Sequence, residues 1–303
     1  MKKLLFITPH LSTGGMPQYL LWKLKQLKEQ NKYELFLIEY SYLGPAYVVQ
    51  RNQITKLLGK NFFSLKDDKR KILPLIKKIN PDYIHLEEIP ELFMDSTIID
   101  KIYNEKRKYR IIETTHTSTF EIKDKKTLPD KFMFVCDYSK EEYSRFNIPS
   151  EVIDMEIPLK KNINRKRAKQ KLDLDPSFRH ILNVGLFTPN KNQEAIFKFA
   201  KKTSLPSYYH FVGNQAENFK DYWEPLMKDK PENCIIWGER EDVDLFYEAC
   251  DIFLFPSLLE LNPLCVKEAL SWDMTVMMHN LPTYKGYYNN HPNVKFLTAN
   301  TLD

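Results

Sequence analysis

The stretch Ala249-Cys250-Asp251-Ile252-Phe253-Leu254-Phe255-Pro256-Ser257-Leu258-Leu259-Glu260-Leu261-Asn262-Pro263-Leu264-Cys265-Val266-Lys267-Glu268-Ala269-Leu270 decides the fold. Ile252–Phe255 is a short unbroken apolar run, which reads as a strand buried on both faces. Pro256 closes it. Asn262 is a good helix N-cap and Pro263 suits the first helical position, where a missing N–H costs nothing, so a helix is predicted over Leu264–Trp272. Strand, loop and helix in succession are one unit of an α/β protein.

The same alternation extends in both directions. Upstream, strand His180–Leu186 leads to helix Gln193–Lys202, strand Tyr208–Val212 to helix Ala216–Met227, and strand Cys234–Trp237 to helix Val243–Cys250. Thr275–Met278 reads as the last strand of this series, with a further strand-like run at Val294–Leu297. Nearer the start, Leu4–Thr8 runs through the loop Pro9–Gly15 into Gln18–Glu29, whose Leu20, Leu21, Leu24 and Leu27 keep a helical stripe. Strands Leu35–Tyr40, Tyr83–Leu86, Arg110–Thr115 and Phe132–Val135 follow, with helix Arg70–Ile79 among them. Such alternation predicts mostly parallel sheets in an α/β protein with two doubly wound halves. Between the halves Pro158–Lys171 carries seven basic residues and no acidic one, which predicts a solvated connection. The expected domains are residues 1–160 and 161–303.

Composition agrees with a folded two-domain chain. The 303 residues include 43% hydrophobic and 28% charged side chains, enough to build a core and unlike disorder. A net charge of +5 is too mild to indicate nucleic acid. Cys136, Cys234, Cys250 and Cys265 form no C-x-x-C pair and read as reduced core thiols of a cytoplasmic protein. The opening Met1–Ile7 imitates a leader, but its apolar run stops at Thr8-Pro9-His10. No run is long enough to span a bilayer, so any membrane contact is expected to be peripheral. The basic groups Lys106–Arg110, Lys123–Lys126 and Lys160–Lys171 suit an anionic surface of that kind, at the inner face of the membrane.

Ligands of open α/β sheets bind beyond the carboxyl ends of the strands, where two facing halves form one cleft. The residues expected there are Pro9–Gly15, His116, Leu186–Asn192, Gly213-Asn214, Gly238–Arg240 and Ser257–Leu264. Glu260 falls in a strand-to-helix loop and Glu268 about a turn and a half into the helix. Carboxylates accept hydrogen bonds from vicinal hydroxyls, and a helix N-terminus accepts phosphate, so this pairing suits sugar rings on either side of a phosphate. Lys191, after the turn at Gly185, is placed to meet a diphosphate. The bland reading leaves Glu260 as a cap, Glu268 paired on a wet face and Lys191 as a solvated lysine.

At this point the second half resembles the retaining glycosyltransferases of family four. The matching segments are Gly185-x-x-x-Pro189-x-Lys191-Asn192, Phe211-Val212-Gly213-Asn214, Trp237-Gly238, Ala249–Glu260 and Lys267–Leu270. In the first half the resemblance runs through Gly14-Gly15, Thr115-His116 and Phe134–Lys140. It implies the GT-B fold, two Rossmann-like domains facing across a cleft, with the acceptor on the first and a nucleotide sugar on the second. Carried over by motif, Glu268 would hold the ribose. Glu260 and the backbone of Leu261, Asn262, Pro263 and Leu264 would hold the sugar and distal phosphate, and Lys191 would neutralise the diphosphate. Gly14 and Gly15 would approach the donor phosphate, His116 the donor sugar near the reacting carbon, and Gly238 to Arg240 the base. His116, Glu260 and Lys191 are thus the expected catalytic set, and Gly185, Gly213 and Asn214 complete the donor contacts. The implied reaction transfers a sugar from a UDP- or GDP-linked donor to a carbohydrate, lipid-linked or protein-linked hydroxyl, retains configuration and uses neither metal nor cofactor.

The chain departs from the family at three places. Leu186 stands where an arginine often follows the glycine, Leu261 and Pro263 replace glycines after the first glutamate, and the sequence ends at Asp303, where family members continue. The C-terminal domain is therefore expected to be truncated or naturally short, with a second copy of the chain able to supply the missing helix. The rival reading is a non-catalytic nucleotide-sugar or carbohydrate binder of the same fold. A nicotinamide-dependent oxidoreductase, with Glu39 on the ribose, lacks G-x-G-x-x-G in the first loop. Asp173-Leu174-Asp175 and Asp242-Val243-Asp244 spell D-x-D without metal-site context, and no histidine pair has ligand spacing.

Overall fold

The computed structural model describes residues 1–12, 14–41, 49–117, 120–215 and 217–298. The chain divides into two units, Met1–Met155 and Glu156–Asp303. Thr13 in the candidate loop Pro9–Gly15, residues 42–48 and 118–119 of the first half, the predicted start of a helix at Ala216 and the last five residues lie outside the described set.

The first unit runs β1 (Lys2–Thr8), α1 (Gly15–Gln30), β2 (Tyr33–Glu39), α2 (Val49–Leu58), β3 (Phe62–Ser64), α3 (Ile72–Ile79), β4 (Tyr83–Glu87), α4 (Pro90–Phe93), α5 (Ser96–Ile102), β5 (Arg110–Thr115), β6 (Lys131–Phe134), α6 (Asp137–Glu142) and β7 (Ser150–Val152). Its parallel sheet has the order β3-β2-β1-β4-β5-β6-β7. The chain winds outward from β1 to β3, then returns to place β4 on the other side of β1. Successive residues of β1 enter opposite layers. Leu4 and Phe6 pack with Leu20, Leu21 and Leu24 of α1, while Leu5 and Ile7 pack with Ile72, Ile76 and Ile102 of α3 and α5. This two-faced burial is why the strand reads as an unbroken apolar run.

The second unit runs α7 (Arg165–Lys171), β8 (Arg179–Val184), α8 (Gln193–Lys202), β9 (Ser207–Val212), α9 (Lys220–Lys228), β10 (Cys234–Gly238), α10 (Val243–Ala249), β11 (Ile252–Phe255), α11 (Leu264–Ser271), β12 (Thr275–Met278) and β13 (Val294–Phe296). Its parallel order is β10-β9-β8-β11-β12-β13, with the winding reversal between β8 and β11. Phe253 and Phe255 pack with Val266, Ala269 and Trp272, and Leu254 faces the opposite layer with Ile196, Phe197 and Phe211.

Three local expectations are corrected. The basic segment is not simply a solvated connection, because its second half is α7, docked on the second unit. Asn164 caps it through Oδ1, which accepts from the Arg167 N–H at 3.0 Å. The Arg165 guanidinium donates to the carbonyls of Cys250 (2.8 Å), Trp272 (3.3 Å) and Asp273 (3.2 Å), meeting the negative ends of α10 and α11. Ala168 is buried beneath it. Lys160 also belongs to the second unit, since its N–H bonds the Ser271 carbonyl at 2.8 Å. Secondly, Pro263 occupies the N-cap position of α11 with ψ 105°, so the helix starts at Leu264 and Asn262 precedes the cap. A ring that fixes φ near −65° serves either position; an extended ψ puts it outside the helix. Thirdly, the first sheet holds two strands that the pattern did not mark, β3 and β7, each three residues long and too short to show a period, whereas β13 falls at the strand-like run Val294–Leu297.

Candidate functional site

In the second unit the winding reversal brings the ends of β8 and β11 together. The segment after β8 turns at Gly185, and Thr188 caps the turn that ends in Lys191, its Oγ1 accepting from the Lys191 N–H at 3.3 Å. The segment after β11 carries Ser257 and Glu260. Lys191 Nζ and Glu260 Oε1 form an ion pair, and Ser257 Oγ lies 2.7 Å from the same carboxylate oxygen. The Asn190 carbonyl accepts from the Leu258 N–H at 2.8 Å and lies 2.9 Å from Ser257 Oγ, which ties the two segments together. The Lys191 ammonium also lies 5.2 Å from the centre of the Phe255 ring. Burial works against its charge, but the Glu260 carboxylate outweighs burial and holds the ammonium pKa above its usual value.

The loop after β12 fastens this arrangement from the other side. Thr283 Oγ1 donates to the Glu260 carbonyl and His279 Nδ1 lies 3.3 Å from the Ser257 carbonyl. Neither residue carried a sequence signal, because each reaches the site only through the placement of β12 beside β11. Farther along α11, Tyr247 Oη donates to Glu268 Oε2 at 2.8 Å, which orients that carboxylate.

Three glycines line the adjoining strand ends. The Gly185 N–H bonds the Val212 carbonyl at 2.9 Å, and the Gly213 N–H bonds the Gly238 carbonyl at 2.8 Å. A Cβ on Gly213 would fall 2.0 Å from the Gly185 carbonyl oxygen, so no side chain fits there. Asn214 holds the next segment, its Oδ1 accepting from the Glu239 N–H at 3.0 Å and its Nδ2 donating to Glu239 Oε2 at 3.2 Å. Arg240 is ion-paired with Asp242 at 2.7 Å and stacks over Trp237 and Phe246. That pairing accounts for one D-x-D motif, and Asp175 of the other accepts from the Ser177 N–H and hydroxyl. Leu186, in the place of the family arginine, contributes its carbonyl to Gln193 Nε2 at 3.0 Å.

In the first unit, α1 starts at Gly15, with Gly14 as N-cap at φ 147°. A Cβ at either glycine would meet nothing within 4 Å, so a ligand can approach this helix start closely. Glu39 is not placed to serve a ribose. It is fully buried, and its carboxylate accepts from the Leu11 N–H at 2.8 Å, from Arg51 at 2.6 and 3.0 Å and from Ser64 Oγ at 3.0 Å. His116 lies just past β5, with Nε2 2.9 Å from Glu87 Oε2 and its ring edge-on to Tyr19. A cavity of about 570 Å³ opens between α4, α5 and the segment 120–127, lined by Leu92, Ile99, Phe120, Asp124 and Lys126 among others.

Among the described residues no group of three or more His, Cys, Asp or Glu is arranged to hold a metal ion, and no helix is long and apolar enough to cross a membrane. The cysteines are free thiols.

Residues 164–301 match the model of the family described as glycosyl transferases group 1. No curated protein matches the chain by sequence. Among solved structures, the chain resembles HepE of Anabaena, crystallised with UDP and glucose, at 13% identity and TM-score 0.80, covering 100% of this chain and 87% of that one. It also resembles the sucrose-phosphate synthase of Thermosynechococcus elongatus, at 12% identity and TM-score 0.73, covering 99% and 87%. A third, WaaG, a glycosyltransferase involved in lipopolysaccharide biosynthesis, is 12% identical with TM-score 0.62, covering 98% and 86%. The match to the glycosyl transferases group 1 family is therefore carried by residues 164–301, in a chain with the GT-B fold.

Proposed function

We propose that the protein transfers a sugar from a nucleotide-sugar donor to a hydroxyl acceptor, with retention of configuration as in family four. The observation that carries this reading is the meeting of Lys191 and Glu260 at the winding reversal of the second unit, beside a rim of glycines. The diphosphate of the donor would lie against Lys191 and the first amides of α11, which have no acceptor within the helix. Negative charge grows on that diphosphate as the glycosidic bond breaks and the sugar becomes oxocarbenium-like. A fixed ammonium and helix amides stabilise it without reorganisation, so the reading requires no divalent metal. Glu260 would accept from sugar hydroxyls once the diphosphate draws Lys191 away, and Glu268, oriented by Tyr247, from the ribose. Gly238 to Arg240 are assigned to the base, His116 with Gly14 and Gly15 to the donor's reacting end, and the cavity beside segment 120–127 to the acceptor. HepE was also crystallised with UDP-glucose, which makes a UDP-sugar the first donor to test.

A second reading, a binder that has lost transfer, is favoured by Leu186, which supplies no cation to the diphosphate. Incubation with UDP-, GDP- and ADP-sugars, followed by release of the nucleotide diphosphate, separates the two. Turnover that disappears in Lys191→Ala and Glu260→Ala supports transfer. A donor-dependent rise in Tm without turnover supports the binder.

A further inference from the structure

Glu87 is a carboxylate with no exposure at all, on the last residue of β4. Burial alone would protonate it. The neighbouring His85, the hydrogen bond from His116 and the charge of Lys23 more than offset burial and hold its pKa down to about 2. The charged and titratable groups around it come from every packed element: His85 on β4, Tyr19 and Lys23 on α1, Lys131 on β6, Glu151 on β7, and Glu88 and His116 in the following segments. Of these, His116 makes the hydrogen bond. Glu87 Oε2 lies 2.9 Å from His116 Nε2, whereas Oε1 is 3.5 Å from His85 Nε2 and has no hydrogen-bond partner among the described residues. His85 Nε2 instead lies 2.6 Å from Thr114 Oγ1, and burial pushes the His85 imidazole down to about 3.

His116 is held from two further directions. The Tyr19 ring meets it edge-on at 5.2 Å, and its own N–H points to Glu88 Oε2 at 3.4 Å. Glu88 adopts φ 84°, a costly conformation for a residue with a side chain, maintained while its N–H bonds the Thr114 carbonyl at 2.9 Å. A fold that keeps an ionised carboxylate fully buried, beside a strained backbone, is specifying one ring orientation.

We infer that Glu87 is the positioning residue of His116: its buried carboxylate holds the imidazole with the proton on Nε2, and so presents Nδ1 as a hydrogen-bond acceptor to the bound substrate. A carboxylate accepts only, so the nitrogen facing it carries the proton, and in the neutral ring the other nitrogen then carries the lone pair. The inference rests on the transfer reading for its consequence in catalysis and on the first unit alone for its geometry.

The test has two parts on the full chain. Long-range 1H–15N correlation of the uniformly 15N-labelled wild-type protein near neutral pH, assigned with His116→Asn, is expected to show His116 protonated on Nε2 and unprotonated on Nδ1. With UDP-glucose as probe donor, Glu87→Gln is expected to lower kcat by roughly 10- to 100-fold while KM for the donor stays within about twofold, and Glu87→Asp to recover part of the loss. A His116 protonated on Nδ1, or a Glu87→Gln protein with wild-type kcat, overturns the assignment. Should Glu87→Gln not fold, the wild-type spectrum decides alone. If the wild-type chain turns over none of the sugar nucleotides, the transfer reading fails, and the proton position in the spectrum still judges Glu87.

Discussion

Lys191 and Glu260, 69 positions apart in the chain, are ion-paired where the ends of β8 and β11 lie side by side. Lys191 closes the single 3₁₀ turn Pro189–Lys191, and Glu260 lies in the loop between β11 and α11. They follow β8 and β11, which are adjacent in the sheet though not consecutive in the chain, and the Asn190 carbonyl locks the two segments to each other. The side chains are 27% and 11% exposed, so the pair is shielded from water and still open on one side.

A double-mutant cycle on Lys191→Met and Glu260→Gln is expected to give a coupling of about 1–3 kcal/mol, between the values of exposed and fully buried pairs. Urea denaturation of the four proteins measures it. In donor turnover, Lys191→Ala should lose roughly 10²–10³-fold in kcat/KM, the usual cost of removing one preorganised charge stabiliser. A coupling near zero would mean that the two side chains do not share a fixed geometry.

Gly213 and Gly185 should respond unequally to alanine. At Gly213 the new Cβ would sit 2.0 Å from backbone, at φ 145°, whereas at Gly185 it would meet only the Lys191 side chain at 3.9 Å, at φ 154°. Gly185→Ala is expected to cost about 1–3 kcal/mol in backbone strain. Gly213→Ala should cost more than about 4 kcal/mol or prevent folding of the second unit. Equal losses in thermal unfolding would contradict this packing.

The second unit carries a hydrogen-bond chain with its proton positions determined. Trp237 Nε1 donates to His210 Nδ1 at 3.1 Å, so His210 Nε2 carries the proton given to His180 Nδ1 at 2.9 Å, and His180 Nε2 donates to the Asp175 carbonyl at 2.8 Å. Burial first, and then His180, push the His210 imidazole down to about 3. Between about pH 6.5 and 3 the unfolded chain therefore binds a proton there that the folded chain does not, and stability falls with falling pH by about 1.4 kcal/mol per unit at most from this group. His85, pushed to about 3, and His10, pushed to about 4, act in the same direction. His210→Leu is expected to be less stable than wild type at pH 7 and to show a shallower loss down to pH 4.5, read from denaturation midpoints. An unchanged slope would remove His210 from the account.

Glu113 acts with the opposite sign. It is fully buried and accepts from Lys125 Nζ at 2.9 Å and Tyr103 Oη at 2.7 Å, but Lys125 also binds both oxygens of Glu91. Burial prevails over this divided charge and raises the Glu113 carboxyl to about 7. Its contribution is therefore complete below the unfolded value and declines as pH rises through about 7. Glu113→Gln, which imitates the protonated form, should gain on the wild type between pH 5 and pH 8. A stability difference independent of pH in that range would show that Glu113 does not titrate there.

The order of strands and helices was readable along the chain because short apolar runs and helical stripes are local periodicities. The strands at Arg110–Thr115, Ile252–Phe255 and Thr275–Met278 and the helix at Gln193–Lys202 fall where the pattern places them. Helix α7 was hidden because Arg165 gains its partners from carbonyls more than 80 positions away. Shorter but still non-local separations, 29 and 23 positions, hid Glu87 beneath His116 and Thr283 beside Glu260. Periodicity records which face of an element is buried, and so determined the α/β class and the loops where ligand chemistry belongs. Which side chains meet in those loops depends on the strand order of each sheet, a non-local choice made by packing, and only the tertiary structure decided it.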